Sequence, residues 1–194
     1  MKKFIIILLT VYLNTSFIQA KSDSIYEYNV KAVFMYQFVD FIDGWKFENE
    51  DVNDTEPFII GIIGDNPFGE AFGPLKDRLV KNKKVSIKYF KGFSELKKYN
   101  ETLEIHPDIE GIQRCHVIFV SNSEKLYLSN ILNSIRGKNI LTIGDLPDFL
   151  KQGGIINFII EKNKVRFSIN LVSAKRANLK IRAKLLRLAK DVIE

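Results

Sequence analysis

The sequence predicts an α/β protein: a single-domain sandwich with helices on both faces of a mostly parallel central sheet. Three observations carry this prediction. After residue 57, short apolar runs alternate with amphipathic helical stretches, the order typical of parallel β–α–β units. Near the C-terminus two apolar runs are separated only by the polar turn 161–164, EKNK, which predicts an antiparallel hairpin. At 194 residues and 46% apolar composition, the chain is long enough for one domain with its own core.

The first 20 residues have the features of a cleaved export signal. Lys2 and Lys3 form a positive start, residues 4–13 an apolar run, and residues 16–20 a small, polar exit that ends at Ala20. The apolar run is too short to span a bilayer, although an uncleaved membrane anchor is the alternative. We therefore expect a signal peptide over residues 1–20 and a mature domain over residues 21–194 that works in the periplasm.

Hydrophobic periodicity predicts the elements of the mature chain. Residues 24–43 show a helical pattern that is apolar on two opposite sides, so we expect a helix buried on both sides, in a core or in an interface. Strands are predicted at 58–64, 84–90, 115–120 and 139–143, followed by the two strands of the hairpin. Short helices are predicted where capping residue types occur, at Asp65 or Asn66, Ser94, Ser123 and Asp145.

Two glycine-containing stretches need to be distinguished from phosphate loops. Gly153 and Gly154 follow a predicted helix and precede a predicted strand. Phosphate loops have the reverse order, with glycines after a strand and before a helix, so this pair is a helix stop. The stretch 61–69, GIIGDNPFG, has the correct order but not the dinucleotide-binding spacing. The sequence therefore leaves open a binding site for a small anion at the start of this predicted helix.

The sequence shows no arrangement of residues typical of catalysis or of metal binding. Cys115 and His116 are neighbours in a predicted strand, so their side chains should point to opposite faces and cannot chelate one ion together. His106 is expected to be a solvated loop side chain. Because Cys115 is the one cysteine, no intramolecular disulfide can form, and we expect a buried, functionally quiet thiol. We predict no catalytic residue, no metal and no cofactor.

The C-terminal residues 171–194 hold seven basic and two acidic residues, so most of the net charge of +6 lies there. We predict one helix over residues 173–192. Its main apolar stripe, which packs on the sheet, consists of Ala174, Ala177, Ile181, Leu185, Leu188 and Val192. A second stripe faces away and consists of Leu179, Leu186 and Ile193. The basic flank beside it consists of Arg176, Lys180, Lys184 and Arg187.

The second stripe and the basic flank together form the predicted binding surface for a partner or for a second copy of the chain. The alternative is that another element of the same chain covers the stripe, and then the interface is expected on the first helix at Phe34, Phe38 and Phe41. The flank suits a solvated face, an acidic protein surface or anionic lipid headgroups. Nucleic acid is disfavoured, because the export signal and the lack of nearby stacking aromatics argue against it.

Several stretches together resemble the YfiR family. These are the export signal, YNVKAVFMYQFVDFIDGW from residue 28, CHVIFVSNSE from residue 115, and most strongly residues 139–189. The resemblance implies a dimeric periplasmic regulator with an α/β sandwich fold. It also implies that the protein restrains a membrane diguanylate cyclase by binding its periplasmic sensor domain, which lowers cyclic di-GMP signalling and biofilm formation; other family members are thought to accompany sensor kinases.

The resemblance has one departure. The best-known member of the family carries paired cysteines that couple redox state to repression, and this chain has only Cys115. We therefore predict an exported, non-enzymatic regulator that forms a homodimer and is not controlled by a disulfide. Peripheral contact with the membrane surface is a further possibility that the sequence leaves open. The alternatives are an exported small-ligand-binding domain without a fixed protein partner, and a periplasmic enzyme. A neighbouring gene for a membrane cyclase or kinase would favour the first hypothesis, and a transporter operon the second.

Overall fold

The computed structural model describes residues 24–47, 56–75 and 78–194. The predicted signal peptide, residues 1–20, lies outside the described residues. Within these ranges, no helix has both the length and the apolar character needed to cross a membrane.

The described residues form an eight-stranded sheet and a separate two-stranded ribbon. In chain order the strands are β1 (Ile42–Asp43), β2 (Phe58–Ile63), β3 (Leu79–Val80), β4 (Lys83–Phe90), β5 (Val117–Val120), β6 (Leu141–Gly144), β7 (Ile156–Glu161), β8 (Lys164–Asn170), β9 (Lys180–Ile181) and β10 (Val192–Ile193). The sheet order is β10-β8-β7-β6-β5-β2-β4-β3, and β1 pairs with β9. Strands β4, β2, β5, β6 and β7 are parallel, and β7 and β8 form the antiparallel hairpin. The predicted fold class is confirmed.

The helices of the described chain are one long and five short. Helix α1 covers residues 24–40. The others are α2 (Phe93–Leu96), α3 (Ile109–Gln113), α4 (Leu128–Ser134), α5 (Leu171–Arg176) and α6 (Ala183–Leu186), with 3₁₀ turns at Gly73–Leu75 and Asn122–Tyr127. Helix α3 was not predicted from the sequence.

Two of the four predicted helix starts are wrong, and the other two are displaced, because the observed N-caps are Gly92 and Ser121. No helix follows Asp65 or Asp145, and Ser123 lies inside the 3₁₀ turn without capping it. Helix α2 begins at Phe93, and its N-cap is Gly92, two residues before the predicted cap Ser94. The side chains of Ser94, Ser123 and Asp145 bond to other elements instead, and Asp65 is held through its backbone N–H and carbonyl. With no helix starting after Asp65, the proposed anion site at residues 61–69 loses the helix N-terminus on which it depended.

Two apolar cores lie on opposite faces of the sheet. Helix α1, the ribbon and the C-terminal segment cover one face, and the larger core there includes Met35, Phe38 and Val39 of α1 at no more than 1% exposure. Helices α2, α3 and α4 cover the other face through residues such as Phe93 and Ile131. Helix α1 is therefore buried within its own chain over its second half.

The two ends of the parallel strands differ in position and in chemistry. We call the end where β2, β4, β5 and β6 finish the carboxyl end of the sheet, and the end where they start the amino end. The chain moves from β2 to β4 on one side and then returns to β5 on the other side. The strand order therefore reverses between β2 and β5, and α/β proteins commonly bind ligands at the carboxyl end of such a reversal.

Candidate interaction surface and the two ends of the sheet

The C-terminal segment is not the single helix predicted over residues 173–192. Helix α5 stops at Arg176, the chain turns at Asn178, and β9, α6 and β10 follow. Asn178 has a positive φ of 57°, a left-handed conformation that asparagine tolerates and that ends helices. The next residue, Leu179, donates its N–H to the carbonyl of Ala174. The apolar residues of this segment have helical spacing in the sequence, but they lie on several short elements that all pack on the same core.

Strand β9 fixes this segment to the end of α1. Ile181 pairs with Ile42, and Lys180 pairs with Asp43, in an antiparallel ribbon. The Arg182 guanidinium donates two hydrogen bonds to the Asp43 carboxylate, at 2.8 and 2.6 Å. These bonds hold the pKa of Asp43 below its usual value. Gly44, at φ +91°, lies against the carbonyl of Asn178 so closely that a Cβ would overlap it.

The predicted second stripe is not brought together on one helix face. Leu179 is buried at 3% exposure, Leu186 is half-buried against the larger core, and Ile193 lies on β10 at 41% exposure. The four residues of the basic flank are all exposed: Arg176, Lys180, Lys184 and Arg187. Leu188 beside them is exposed by 57%, although it was predicted to pack on the sheet. The exposed residues remain a predicted binding surface, whereas Leu179 belongs to the core of the chain.

The alternative interface on α1 also lies mostly within the chain. Phe38 is 1% exposed and contacts the ring of Phe167 with a centroid distance of 4.8 Å. Phe34 stacks on Phe38 at 5.8 Å, and Phe41 is half-buried. The aromatic side of α1 therefore packs on the β7–β8 hairpin, which explains its pattern without a partner.

The histidines and the cysteine lie in three different environments. His106 is buried at 2% exposure, so its predicted solvated position is wrong. It bonds to the carbonyl of Lys91 through Nε2 and accepts the Asp108 N–H at Nδ1, which fastens its loop to the end of β4. Burial raises the pKa of the Cys115 thiol to about 12. His116 accepts the N–H of Ile59 at Nδ1 and stacks on Phe58.

A buried ion-pair cluster lies at the carboxyl end of the sheet, where α1 meets the residue after β6. Lys31, at 2% exposure, contacts Glu27 at 2.5 Å and Asp145 Oδ2 at 2.6 Å. The Tyr28 hydroxyl donates a 2.8 Å hydrogen bond to the same Asp145 oxygen. Burial, reinforced by the charge of Asp145, raises the pKa of Tyr28 well above its usual value. Asp145 was predicted as a helix cap and instead holds α1.

The second oxygen of Asp145 has no hydrogen-bond partner among the described residues, and it is buried. A cavity of about 510 Å³ lies beside the cluster, between α1, strand β7 and the residues that follow β5 and β6. Sequence reasoning missed this cluster. The signal that could have found it is Lys31 itself, because a lysine on a helix that is apolar on both sides needs a carboxylate partner.

Glu124 fills the carboxyl end at the reversal between β2 and β5. It is fully buried and accepts hydrogen bonds from the Ser94 hydroxyl, the Ser94 N–H at 3.3 Å and the Ser123 hydroxyl at 3.2 Å. Ser123 in turn accepts the N–H of Asp65 at 3.0 Å. A Cβ at Gly92 would overlap the Glu124 carboxylate. The position where α/β proteins commonly bind ligands is thus occupied by a side chain of the protein itself.

Family membership is decided by a comparison with known protein families. The YfiR/HmsC-like family matches residues 28–190, which covers both cores, the hairpin and nearly all of the C-terminal segment. The chain belongs to the YfiR/HmsC-like family. This family is one of periplasmic regulators of cyclic di-GMP signalling, and its role is regulatory and not catalytic. No curated protein is detectably similar to the chain.

Solved structures share the α/β fold at low sequence identity. An ABC domain in complex with L-Trp from Streptococcus pneumonia is 12% identical, has a TM-score of 0.51, and aligns over 70% of this chain and 55% of its own. A conserved domain protein from Vibrio cholerae O1 biovar El Tor is 11% identical, has a TM-score of 0.47, and aligns over 70% and 54%. The chain thus spans about half the length of these structures. At this identity the streptococcal domain shows the fold alone.

Proposed function

We propose that the chain is an exported regulator that binds the periplasmic sensor domain of a membrane partner and restrains that partner. The partner is a diguanylate cyclase or a sensor kinase, and restraint lowers cyclic di-GMP signalling and biofilm formation. The family match over residues 28–190 is the observation that supports this proposal most. The regulator acts as a homodimer after removal of residues 1–20 during export.

The exposed part of the C-terminal segment supplies the partner-binding surface. Lys184 lies on α6 and Arg187 is its C-cap, and both side chains are exposed next to the exposed Leu188. An apolar side chain bordered by cations suits a partner surface with an acidic rim, because complementary charge steers association. The same cations allow peripheral contact with anionic headgroups when the regulator is bound at the membrane.

The test measures cyclic di-GMP in the native cell. Deleting the gene should raise cyclic di-GMP, and the wild-type gene should restore it. Lys184→Glu with Arg187→Glu should fail to restore it, because two repulsive charges then face the partner. The matched control is Lys164→Glu with Arg166→Glu, which makes the same change on exposed residues of β8. An unchanged cyclic di-GMP level on deletion would contradict the proposal.

Mutations of Leu179 are not suitable for this test. Leu179 is in the core, so Leu179→Ser with Leu186→Ser should unfold the monomer and reduce regulation for that reason alone. Charge reversals on α6 avoid this problem, provided that thermal unfolding shows the same midpoint for the variant and the control. N-terminal sequencing of the periplasmic protein tests export separately, with Lys21 as the expected first residue.

A second candidate function is that of an exported small-ligand-binding domain without a fixed protein partner. The cavity of about 510 Å³ at the carboxyl end favours it, since it has both aromatic and polar walls, including Tyr28, Phe158 and Asn122. A screen of amino acids and sugars for raised thermal stability would test it. A strong stabilising ligand, combined with no change in cyclic di-GMP on gene deletion, would favour this function over the first.

A further inference from the structure

A cleft at the amino end of the sheet has a lining of unusual charge. It has a volume of about 350 Å³ and lies where β2, β5 and β6 begin, with the end of α3 and one side of β4 as walls. Five of its lining residues are lysine or arginine, and one is acidic, Glu56. The cations are Lys46, Lys83, Lys88, Arg114 and Lys138.

Four of these cations have no partner for their charged groups among the described residues. Lys83 is engaged, since it bonds to the Glu56 carbonyl and lies 4.8 Å from the centre of the Phe47 ring. The charged groups of Lys46, Lys88, Arg114 and Lys138 take part in no ion pair and no side-chain hydrogen bond within the described ranges. Elsewhere in the same ranges some exposed cations, such as Lys91, Lys151 and Arg182, are paired with carboxylates, and others, such as Lys164 and Arg166, have no ion pair. The four cations of the cleft are distinguished by lining one concave surface together.

A smaller cavity adjoins this cleft and shares two of its lining residues, Lys138 and Ile140. It has a volume of about 200 Å³. Its lining adds Arg136, Lys151 and Arg176 and contains no aspartate or glutamate. Lys151 is paired with Asp148. Arg136 donates a hydrogen bond to the neutral Asn133, so neither Arg136 nor Arg176 is paired with a carboxylate within the described ranges. The positive lining thus continues from one cavity to the next.

We propose that this pair of cavities binds a phosphate-bearing small molecule. Like charges around a concave, partly apolar surface repel one another and focus a positive potential, and both effects favour an anion in the cleft. Lysine and arginine make charge-assisted hydrogen bonds to phosphate oxygens. The larger volume lies at the lower end of the range for small-ligand sites, which suits a phosphate ester. A second phosphate would reach the smaller cavity past Lys138.

The site is separate from the proposed regulatory function and does not depend on the identity of the protein partner. It is also at the opposite end of the sheet from Glu124 and Asp145. A ligand there would contact the residues before β2, β5 and β6 together and would join them across the cleft.

Isothermal titration calorimetry of the mature chain with inorganic phosphate and with pyrophosphate, at low salt, tests the proposal. We expect one saturable site for each probe and tighter binding of pyrophosphate. Lys88→Gln with Arg114→Gln should weaken pyrophosphate binding about tenfold. The matched control, Lys164→Gln with Arg166→Gln, removes the same two charge types from exposed residues of β8 and should leave binding unchanged.

Vesicles distinguish the two sources of such a phosphate group. Binding to vesicles of phosphatidylcholine with phosphatidylglycerol, but not of phosphatidylcholine alone, assigns the site to a lipid headgroup if pyrophosphate competes and Lys88→Gln with Arg114→Gln abolishes it. Pyrophosphate binding without vesicle binding assigns the site to a soluble phosphate ester.

Three results would overturn the proposal. The first is the absence of saturable binding of either probe at millimolar concentration. The second is equal weakening by the cleft variant and by the β8 control, which would indicate general charge attraction. The third involves the acidic residues Glu48, Glu50, Asp51 and Asp54 in the sequence between Phe47 and Glu56. If pyrophosphate binds only after these four are changed to Gln or Asn, the anion for the cleft comes from the chain itself.

Discussion

The two ends of the parallel sheet place their charges in opposite ways. At the carboxyl end, Glu124 and Lys31 are buried, the Asp145 side chain is 9% exposed, and each of the three contacts at least two groups of its own chain. At the amino end, Lys88, Arg114 and Lys138 are exposed around a cleft and take part in no ion pair within the described ranges. The charged groups of the carboxyl end are paired within the protein, whereas those of the amino end are exposed to solvent.

The proposed phosphate site lies at the amino end, whereas α/β domains commonly hold their ligands at the carboxyl end. Here Glu124 occupies the strand-order reversal, and the Lys31–Asp145 pair joins α1 to the end of β6. Buried charges of this kind are costly to separate from their partners, whereas exposed charges without partners cost little to remove. The comparison therefore predicts a steep gradient of mutational effects from one end of the sheet to the other.

The largest effect is expected for Lys31→Met. Removing the ammonium leaves Asp145 buried with only the Tyr28 hydroxyl as a partner, and breaking a buried ion pair in this way costs about 3–5 kcal/mol. Urea unfolding at neutral pH measures the loss. In Lys31→Met with Asp145→Leu no uncompensated charge stays buried, so most of the stability should return. A single-variant loss under 1 kcal/mol, within the range of ordinary surface changes, would mean that water reaches this pair.

The next largest effect is expected for Gly92→Ala. A Cβ at this position overlaps the Glu124 carboxylate, so the carboxylate must leave its bonds to Ser94 and Ser123. Overpacking and lost hydrogen bonds together should cost about 2–3 kcal/mol. Gly73→Ala is the control, because a Cβ there meets no atom within 4 Å. Equal midpoints for the two variants in thermal unfolding would show that Glu124 moves at no cost.

The sequence predicted the six longer strands because each is a continuous apolar run or a clear alternation, patterns typical of a buried or half-buried sheet. The two-residue strands β1, β3, β9 and β10 were not predicted, because they are too short to show a period. It failed for the C-terminal segment, since Ala174, Ile181 and Leu185 contact one core from three different elements and mimic helical spacing. The left-handed turn at Asn178 was the local signal against a helix, and a single asparagine is weak evidence on its own.

The candidate site was less predictable than the fold. Lys31 and Asp145 are 114 residues apart, and nothing local to either residue shows that they meet. The four unpartnered cations of the cleft, Lys46, Lys88, Arg114 and Lys138, come from four separate stretches of chain, so their concentration in one cleft depends on topology. His106 shows the same limit, because a histidine before a proline in a polar stretch has no periodicity that would reveal its burial.

Cys115 lies at the amino end and gives a pH test of how closely that end is packed. The unfolded thiol ionises near pH 9.0 and the folded one near 12, so its contribution to stability is complete below pH 9 and is lost as the pH rises through 12. At pH 10 the wild type should have lost about 1.4 kcal/mol more than Cys115→Ser, relative to pH 8. Chemical unfolding at the two pH values measures this difference. Parallel pH profiles for the two proteins would show that the thiol is solvated.

The smallest effect is expected for the cations of the cleft. Because the charged groups of Lys88 and Lys138 have no partner in the described chain, Lys88→Gln and Lys138→Gln remove repulsion and no attraction. Each should change the free energy of unfolding by less than about 0.5 kcal/mol, with a slight gain at low salt. The gain should vanish at about 1 M salt, where charges several ångströms apart are screened. Urea unfolding at the two salt concentrations measures both values. A loss above 1 kcal/mol for either variant would mean that these lysines hold the fold together, as Lys31 does, and the two ends of the sheet would then no longer differ in kind.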